Sequence, residues 1–241
     1  MGHNRCSVRH SLCRSSSWAK AATTTIPIVF STGADPVAVG LVASLSRPGG
    51  NVTGIVNISA NLAAKRLGFL RNLVPRAMSF AVLVTHKGPL TKGTLKELQV
   101  EDPQLGLPVE ALYADNADEI DVALAELAKK PAVALMVSPD ALFTNLRAQI
   151  VALAAQYAVP AIYPAREFAE AGGLMSYGPS FMSTYQQVGE YSGRILRGEK
   201  PSDLPVVQAT KFELVINPKA ARSLGLDVPD KLLALADDVI E

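Results

Sequence analysis

Residues 26–40, IPIVFSTGADPVAVG, join one short apolar run to another through a turn at 32–35. The first run is rich in β-branched residues and predicts a strand. Aspartate followed by proline is typical of the first turn of a helix. A strand followed by a helix is the repeating unit of α/β folds. The pattern leaves open whether Asp35 does chemistry, whether the turn holds a phosphate, whether it contacts another ligand, or whether it only starts a helix.

The same alternation continues along the chain. Short apolar or β-branched runs predict further strands at 52–56, 80–85, 108–113, 132–138, 160–163, 173–177, 205–208 and 212–216. Apolar residues three or four apart predict helices between most of them: one begun by Ser59, one after Asp115 or Asp118, and others over 143–157, 181–195, 217–225 and 230–239. Strands that are apolar on both faces indicate parallel sheets covered by helices on both sides.

Composition allows one large domain or two small ones, since the chain has 241 residues, of which 49% are apolar and 19% charged. The formal net charge of +1 gives no overall field that would favour nucleic acid or an anionic membrane. No run of about 18 apolar residues is present, so no membrane-spanning helix is expected.

The segment MGHNRCSVRHSLCRSSSW, residues 1–18, has no acidic residue and no apolar core of the kind that a secretory signal needs. We interpret it as a disordered cationic tail. An alternative is a zinc site, because His3, Cys6, His10 and Cys13 offer four soft ligands. All four fall in one short segment without apolar support, which favours the tail.

Ligands of open parallel sheets bind beyond the carboxyl ends of the strands. The predicted strand ends here carry hydroxyls, carboxylates, phenols and a guanidinium. We predict that the ligand-binding residues are among Thr32, Gly33, Asp35, Thr85, Ser138, Asp140, Tyr163, Arg166 and Tyr177. Such a set suits a small polar or zwitterionic solute, whose carboxylate would bind at helix N-termini.

Each candidate also has a structural interpretation. Asp35 and Asp140 could each cap a helix and have no further role. Tyr163 and Tyr177 can be core residues with one hydrogen bond each. Arg166 can pair on the surface with Glu167 and Glu170, which lie close to it in the sequence.

Catalytic motifs are mostly missing: there is no G-x-S-x-G elbow, no H-E-x-x-H and no G-x-G-x-x-G after a strand. The nearest approach to a phosphate loop is VTHKGPLTKGTL, residues 84–95. Thr94 stands where lysine should follow the second glycine, so we interpret it as a loop with accidental spacing. His86 has no neighbouring nucleophile and is interpreted as a solvated loop histidine. No catalytic residue, metal or cofactor is predicted.

Several stretches, taken together and in order, resemble the bacterial ABC-transporter substrate-binding proteins that have a type I periplasmic-binding fold. These are AATTTIPIVFSTGADPVAVGLVASLSRPGGNVTGI, AAKRLGFLRNLVPRA, AIYPAREFAEAGGLMSYG, GRILRGEKPSDLPVVQATKFELVINPKAARSLGL and DKLLALADDVIE. The resemblance covers about residues 19–241.

The resemblance implies two Rossmann-like lobes with parallel sheets flanked by helices, joined by three crossings. Lobe one would hold 19–55 and 175–241, and lobe two 56–174. The crossings would lie near 54–57, near 175–177 and near the C-terminal segment.

The implied function is the solute-binding component of an uptake transporter, in which hinge closure holds a small polar solute such as an amino acid. The implied partner is the transporter permease, and the resemblance implies a monomer with no nucleic acid, no cofactor and no catalysis. It also implies a periplasmic location, although the sequence as written shows no signal peptide and would stay cytoplasmic. The turn at 32–35 would then cap a helix and also line the solute cleft.

Two departures from the family pattern lead to further expectations. Family members have two or three more strand–helix units before IPIVF, so lobe one is expected to be incomplete and to expose sheet edges. In KELQVEDPQLGLPVE, residues 96–110, Asp102-Pro103 cannot continue a helix, so the helix is expected to end near Val100.

Three alternatives remain at this stage. One is an enzyme on a two-lobed α/β fold, such as a racemase, whose usual paired cysteines the globular part lacks. Another is the effector domain of a repressor, although residues 1–20 lack the spacing of a helix-turn-helix. The last is a truncated gene product without function.

Overall fold

A computed structural model describes residues 19–57, 62–88, 90–100 and 109–240. The chain divides into two compact units, one formed by Met1–Ile58 with Met182–Ala209 and the other by Ser59–Phe181 with Thr210–Glu241. We call them unit 1 and unit 2. The predicted tail with its alternative zinc ligands, the helix start at Ser59 and the break at Asp102-Pro103 lie outside the described residues.

The described strands are β1 (Ile28–Thr32), β2 (Val52–Val56), β3 (Ser79–Val84), β4 (Val109–Tyr113), β5 (Val133–Val137), β6 (Ala161–Tyr163), β7 (Met175–Pro179), β8 (Val207–Gln208), β9 (Phe212–Ile216) and β10 (Asp238–Val239). The helices are α1 (Ala63–Leu73), α2 (Thr91–Val100), α3 (Ala117–Leu127), α4 (Ala141–Asn145), α5 (Arg147–Gln156), α6 (Arg166–Glu170), α7 (Phe181–Leu196), α8 (Pro218–Ser223) and α9 (Asp230–Leu233). No helix among these is long and apolar enough to cross a membrane.

Unit 1 contains a parallel sheet with the order β1-β2-β8. A small apolar cluster packs on it, formed by Phe30, Leu41, Val42, Val52, Val56 and Val206. Gly54 lies opposite Phe30, and a Cβ at this glycine would lie 2.2 Å from the Phe30 carbonyl oxygen. The close approach of the two strands therefore requires glycine at this position.

Unit 2 contains a larger sheet with the order β10-β9-β7-β6-β5-β3-β4. Side chains alternate between its faces, as the two-residue period of a strand requires. Val82 faces one core, to which α1, α2, α8 and α9 contribute. Leu83 faces the other, which contains side chains of α3, α4, α5 and α6. The predicted α/β fold with helices on both faces of largely parallel sheets is confirmed.

Three local features differ from the sequence expectation. β9 runs antiparallel to β7, so the sheet is not wholly parallel. The helix predicted over 143–157 is interrupted at Leu146, whose backbone leaves the helical region. The helix predicted over 230–239 ends at Leu233, because the chain then pairs with β9 as β10. α2 is described as far as Val100, and because residues 101–108 lie outside the described residues, the predicted end of this helix near Val100 stays a prediction.

The predicted lobe boundaries need correction. Residues 175–181 and 210–241 were expected in lobe one, but β7, β9 and β10 are all strands of the unit 2 sheet. Ser176 pairs with Val215, which in turn pairs with Asp238. Only residues 182–209 return to unit 1, so the chain crosses between units after 58, 181 and 209. Pairing between strands that are distant in the sequence decides this, and local patterns do not encode it.

Candidate functional site

The order of strands in unit 2 places a topological switch point at the carboxyl ends of β3 and β5. These strands are adjacent in the sheet. The helix after β3 packs on one face of the sheet, whereas the helix after β5 packs on the other. The outgoing loops therefore part from each other, as they do at the ligand-binding switch point of doubly wound sheets.

Thr85 follows β3, Asp140 follows β5, and their side chains meet at this switch point. The Thr85 hydroxyl donates to Asp140 Oδ2 at 3.0 Å. Asp140 Oδ1 accepts from the backbone N–H of Leu142 at 2.8 Å, which caps α4. Asp140 is therefore a helix cap, as one interpretation of the sequence predicted, and it also holds a neighbouring hydroxyl.

Gly88 lies against the same pair of side chains. A Cβ at this position would lie 2.3 Å from Thr85 Oγ1, 2.7 Å from Thr91 Oγ1 and 3.0 Å from Asp140 Oδ2. The Thr91 hydroxyl donates to the Thr85 carbonyl at 2.8 Å. Ser138, also predicted as a ligand residue, is buried and follows β5 directly, and its backbone N–H donates to the Leu83 carbonyl of β3 at 3.0 Å. We call Thr85, Gly88, Thr91, Ser138 and Asp140 the oxygen cluster.

The sequence analysis missed Gly88 and Thr91 as members of this cluster. Both lie in the stretch that was set aside because it lacks a phosphate-loop lysine. The available signal was a glycine followed by a hydroxyl residue shortly after a buried strand. Such a glycine indicates that another group approaches the backbone closely, but the sequence does not show which group it is.

An aromatic pair lies next to the oxygen cluster in the sequence and at the carboxyl ends of β3 and β4. The rings of His86 and Tyr113 stack with centroids 4.7 Å apart, and both side chains are exposed. Asp115 fixes His86, because its Oδ1 accepts from the His86 backbone N–H at 2.9 Å and its Oδ2 lies 3.2 Å from Nδ1. His86 is thus a loop histidine, as predicted, but it is held in place by a carboxylate.

The two carboxylates near His86, Asp115 and Glu119, take part in hydrogen bonds at the N-terminus of α3. Glu119 accepts from the Asp115 backbone N–H at 2.8 Å and from Asn116 Nδ2 at 2.7 Å. The Asn116 side chain accepts from the Glu119 backbone N–H in return. This is a reciprocal cap, so the proximity of His86, Asp115 and Glu119 has a structural explanation.

The two predicted tyrosines lie in the cores of unit 2. Tyr163 is buried and stacks on Phe168 with ring centroids 5.0 Å apart, and burial raises the pKa of its phenol. Tyr177 is buried against Phe69, and the Lys65 ammonium lies 4.7 Å from the centre of its ring. These positions fit the structural interpretation, and contact of either phenol with a solute stays a prediction.

Arg166 is held by three carboxylates of unit 2. Its Nε donates to Glu170 at 2.7 Å, its Nη1 lies 3.7 Å from Glu213, and its Nη2 binds Asp238. Hydrogen bonds to Glu170 and Asp238 raise the pKa of the guanidinium further. Of the two sequence neighbours expected as partners, Glu170 is one, while Glu213 and Asp238 come from distant strands.

The ion pair between Arg166 and Asp238 predicts an acid-dependent loss of stability. Its hydrogen bond lowers the pKa of Asp238 in the folded protein. Such a carboxyl stabilises the fold above its unfolded pKa of about 4, and the contribution is lost as pH falls through the lower folded value. We expect thermal melting of Asp238→Asn to depend less on pH below about 4 than wild type does. Asp227 is exposed, so Asp227→Asn serves as the control. If the melting temperatures of wild type and Asp238→Asn fall in parallel as the pH is lowered, the prediction is wrong.

The turn after β1 in unit 1 is a capped turn. Thr32 Oγ1 accepts from the Ala34 backbone N–H at 3.1 Å, and Asp35 Oδ1 accepts from Val37 at 2.9 Å and Ala38 at 3.3 Å. The helix expected after Asp35 is not formed: residues 36–40 are a turn, because the backbone reverses at Gly40 with a φ of +72°. Gly33 and Asp35 are exposed on this turn.

Comparison with known proteins shows which family this chain belongs to. A family model described as ABC transporter substrate binding protein matches residues 13–240. The Tyrosine-binding protein of Clostridioides difficile (strain R20291) is 26% identical over 205 residues, which are 85% of this chain and 59% of that protein. The chain therefore spans less than two thirds of the length of this curated relative.

Two solved structures share the fold. The ABC domain from Streptococcus pneumonia in complex with L-Trp superposes with a TM-score of 0.78 at 26% identity, covering 95% of this chain and 78% of that one. The ligand-free, open structure of a substrate binding protein with adhesive properties from Clostridium difficile gives 0.69 at 25% identity, covering 95% and 76%.

Proposed function

Because the chain belongs to the family of ABC transporter substrate-binding proteins, we propose that it binds an amino-acid-type solute and passes it unchanged to a transporter permease. The observation that carries the proposal is the oxygen cluster at the switch point of unit 2. There the Asp140 carboxylate is held in place by the Thr85 hydroxyl and the start of α4.

The chemistry of the oxygen cluster suits a primary ammonium group. Asp140 contributes a negative charge, and the buried hydroxyls of Thr85, Thr91 and Ser138 contribute further acceptor oxygens. A carboxylate that accepts from an ammonium forms a charge-assisted hydrogen bond, which is stronger than a neutral one. The α-ammonium group of an amino acid is the proposed occupant.

The proposed solute is aromatic. Two relatives support this, one by its name as a tyrosine-binding protein and one by its complex with L-Trp. The exposed His86–Tyr113 pair beside the cluster offers a flat surface on which a ring can stack, and stacked or edge-on rings attract each other beyond simple burial.

We also propose Thr32, Gly33 and Asp35 of unit 1 as solute-binding residues, and we propose that the three crossings act as a hinge. Solute shifts the population towards the closed state because it binds that state more tightly. The protein acts as a monomer in the periplasm, without catalysis, cofactor or nucleic acid.

A binding panel tests the proposal. We expect L-Trp and L-Tyr to raise the melting temperature and to give saturable heats in calorimetry, because a ligand of the folded state stabilises it by mass action. Tryptamine retains the ammonium and should bind better than indole-3-propionate, which lacks it. Nuclear magnetic resonance of the recovered solute should show no chemical change. Turnover of the solute, or no response to any amino acid, would overturn the proposal.

Asp35→Ala separates the two roles proposed for the turn of unit 1. Loss of the cap should lower stability by about 1 kcal/mol. We expect the affinity for L-Trp to fall by a larger free energy than that, whereas Asp35→Asn should keep the cap. If affinity is unchanged and only the melting temperature falls, Asp35 is a cap alone.

A further inference from the structure

Asn57 is a buried amide at the end of β2, shortly before the chain leaves unit 1. Its Oδ1 accepts from the Thr184 hydroxyl at 2.9 Å. Its Nδ2 donates to Ser31 Oγ at 3.3 Å, and its backbone N–H donates to the Thr32 carbonyl at 2.8 Å. One residue thus bonds to the strand before the proposed solute turn and to a helix that is distant in the sequence.

The partner of Asn57 lies at the second crossing. Thr184 is fully buried in the first turn of α7, and the chain re-enters unit 1 at Met182. The third crossing is bonded close by, since the Ala209 backbone N–H donates to the Val56 carbonyl at 2.8 Å. On the unit 1 side, all three crossing segments are therefore hydrogen bonded around residues 56–57.

Unit 2 has a matching arrangement on its own side of the crossings. Arg66, in the first helix after the first crossing, is 1% exposed, and its Nε donates to the carbonyl of Tyr177 at 2.7 Å. Tyr177 belongs to the strand that leads into the second crossing. The Ser180 backbone N–H donates to the Lys211 carbonyl at 3.0 Å and so joins the second crossing to the third.

We propose that Asn57 and Thr184 are positioning residues for solute binding, whose buried hydrogen bond joins the first and second crossings and the turn after β1 into one hinge. The inference rests on the proposed function and adds a residue pair that need not touch the solute. A few residues at the ends of elements usually absorb the change in a hinge. Hydrogen bonds between them make the crossings bend together.

Removal of the hydroxyl tests the pair. Thr184→Val keeps the shape of the side chain but leaves the Asn57 carbonyl oxygen without this donor, which is costly at a buried site. We expect the dissociation constant for L-Trp to rise by about fivefold or more, and Thr184→Ser to restore it. Ser31→Ala, at an exposed position, should give a smaller change in the same direction without endangering the fold.

Thr53→Val is the matched control. Thr53 is also fully buried in unit 1, and its hydroxyl donates to the Leu204 carbonyl at 2.7 Å, away from the first two crossings. Both valine variants should lower the melting temperature of the solute-free protein to a similar degree. Only Thr184→Val should also weaken binding, and equal weakening by Thr53→Val would overturn the proposal.

A measurement without solute separates this proposal from the proposed function. Two spin labels are attached, one at Asn72→Cys in unit 2 and one at Glu190→Cys in unit 1, after Cys6 and Cys13 have been replaced by serine. The measurement gives the distribution of distances between the two labels. Both labelled positions are exposed. We expect Thr184→Val to broaden the distribution and Thr53→Val to leave it unchanged. An unchanged width in Thr184→Val would overturn the hinge pair even if L-Trp binds, and a broadened width would support it even if no amino acid binds.

Discussion

Gly178→Ala is expected to destabilise unit 2 by about 3 kcal/mol, close to the upper end of what added volume costs in a packed interior. A Cβ at this buried position in β7 would lie 1.9 Å from the carbonyl oxygen of Pro164 and 3.0 Å from its carbonyl carbon. Both are backbone atoms next to β6, so no side chain can rotate away. β6 or β7 must move, although β7 is hydrogen bonded to β9 on its other side.

Urea denaturation measures this effect, with Gly68→Ala as the control in the same unit. Gly68 lies in α1, and nothing comes within 4 Å of a Cβ there. Alanine in a helix interior is favoured over glycine by about 1 kcal/mol, so this variant should be more stable than wild type. A wild-type midpoint for Gly178→Ala would show that the two chain segments are further apart than the structure has them.

Asp140→Asn is expected to weaken L-Trp binding by about 10- to 100-fold, since hydrogen bonds to charged groups contribute about 1.5–3 kcal/mol. The substitution removes the negative charge that the proposed ammonium group needs. Stability should change little, because asparagine caps a helix about as well as aspartate and its amide can still meet the Thr85 hydroxyl.

Calorimetry with L-Trp and with indole-3-propionate checks the assignment to the ammonium group. Asp140→Asn should lose affinity for L-Trp and keep that for indole-3-propionate, which has no ammonium. Thr144→Ser serves as a control in the same helix, because the Thr144 hydroxyl donates to the Asp140 carbonyl and serine retains that bond. Undiminished affinity of Asp140→Asn for L-Trp would remove Asp140 from the solute site.

The elements of this protein were largely predictable because they depend on near neighbours in the chain. The strand over 52–56 was predicted with its observed bounds. The helix predicted to start at 217 begins there in the structure, since the Asn217 side chain caps α8 by accepting from the Ala220 backbone N–H at 2.9 Å. Strand alternation and helix capping act over a few residues, so the local pattern is sufficient to reveal them.

The partners of the site residues were not predictable in the same way. Thr85 and Asp140 are 55 positions apart, and Arg166 and Asp238 are 72 apart. The list of polar strand ends placed Asp140 and Arg166 on equal terms. In the structure Asp140 joins the oxygen cluster, whereas distant carboxylates surround Arg166.

The sequence by itself determined the alternation of strands and helices and the resemblance to a solute-binding family, and it offered a helix cap as one interpretation of Asp140. Only the tertiary structure decided that β7, β9 and β10 belong to the sheet of unit 2. It also decided that Gly88 lies against Thr85 and Asp140, and that Asn57 is hydrogen bonded to Thr184. The physical reason is range: periodicity and caps arise from residues within one or two turns, whereas sheet order and polar clusters depend on which distant segments bury their apolar faces together.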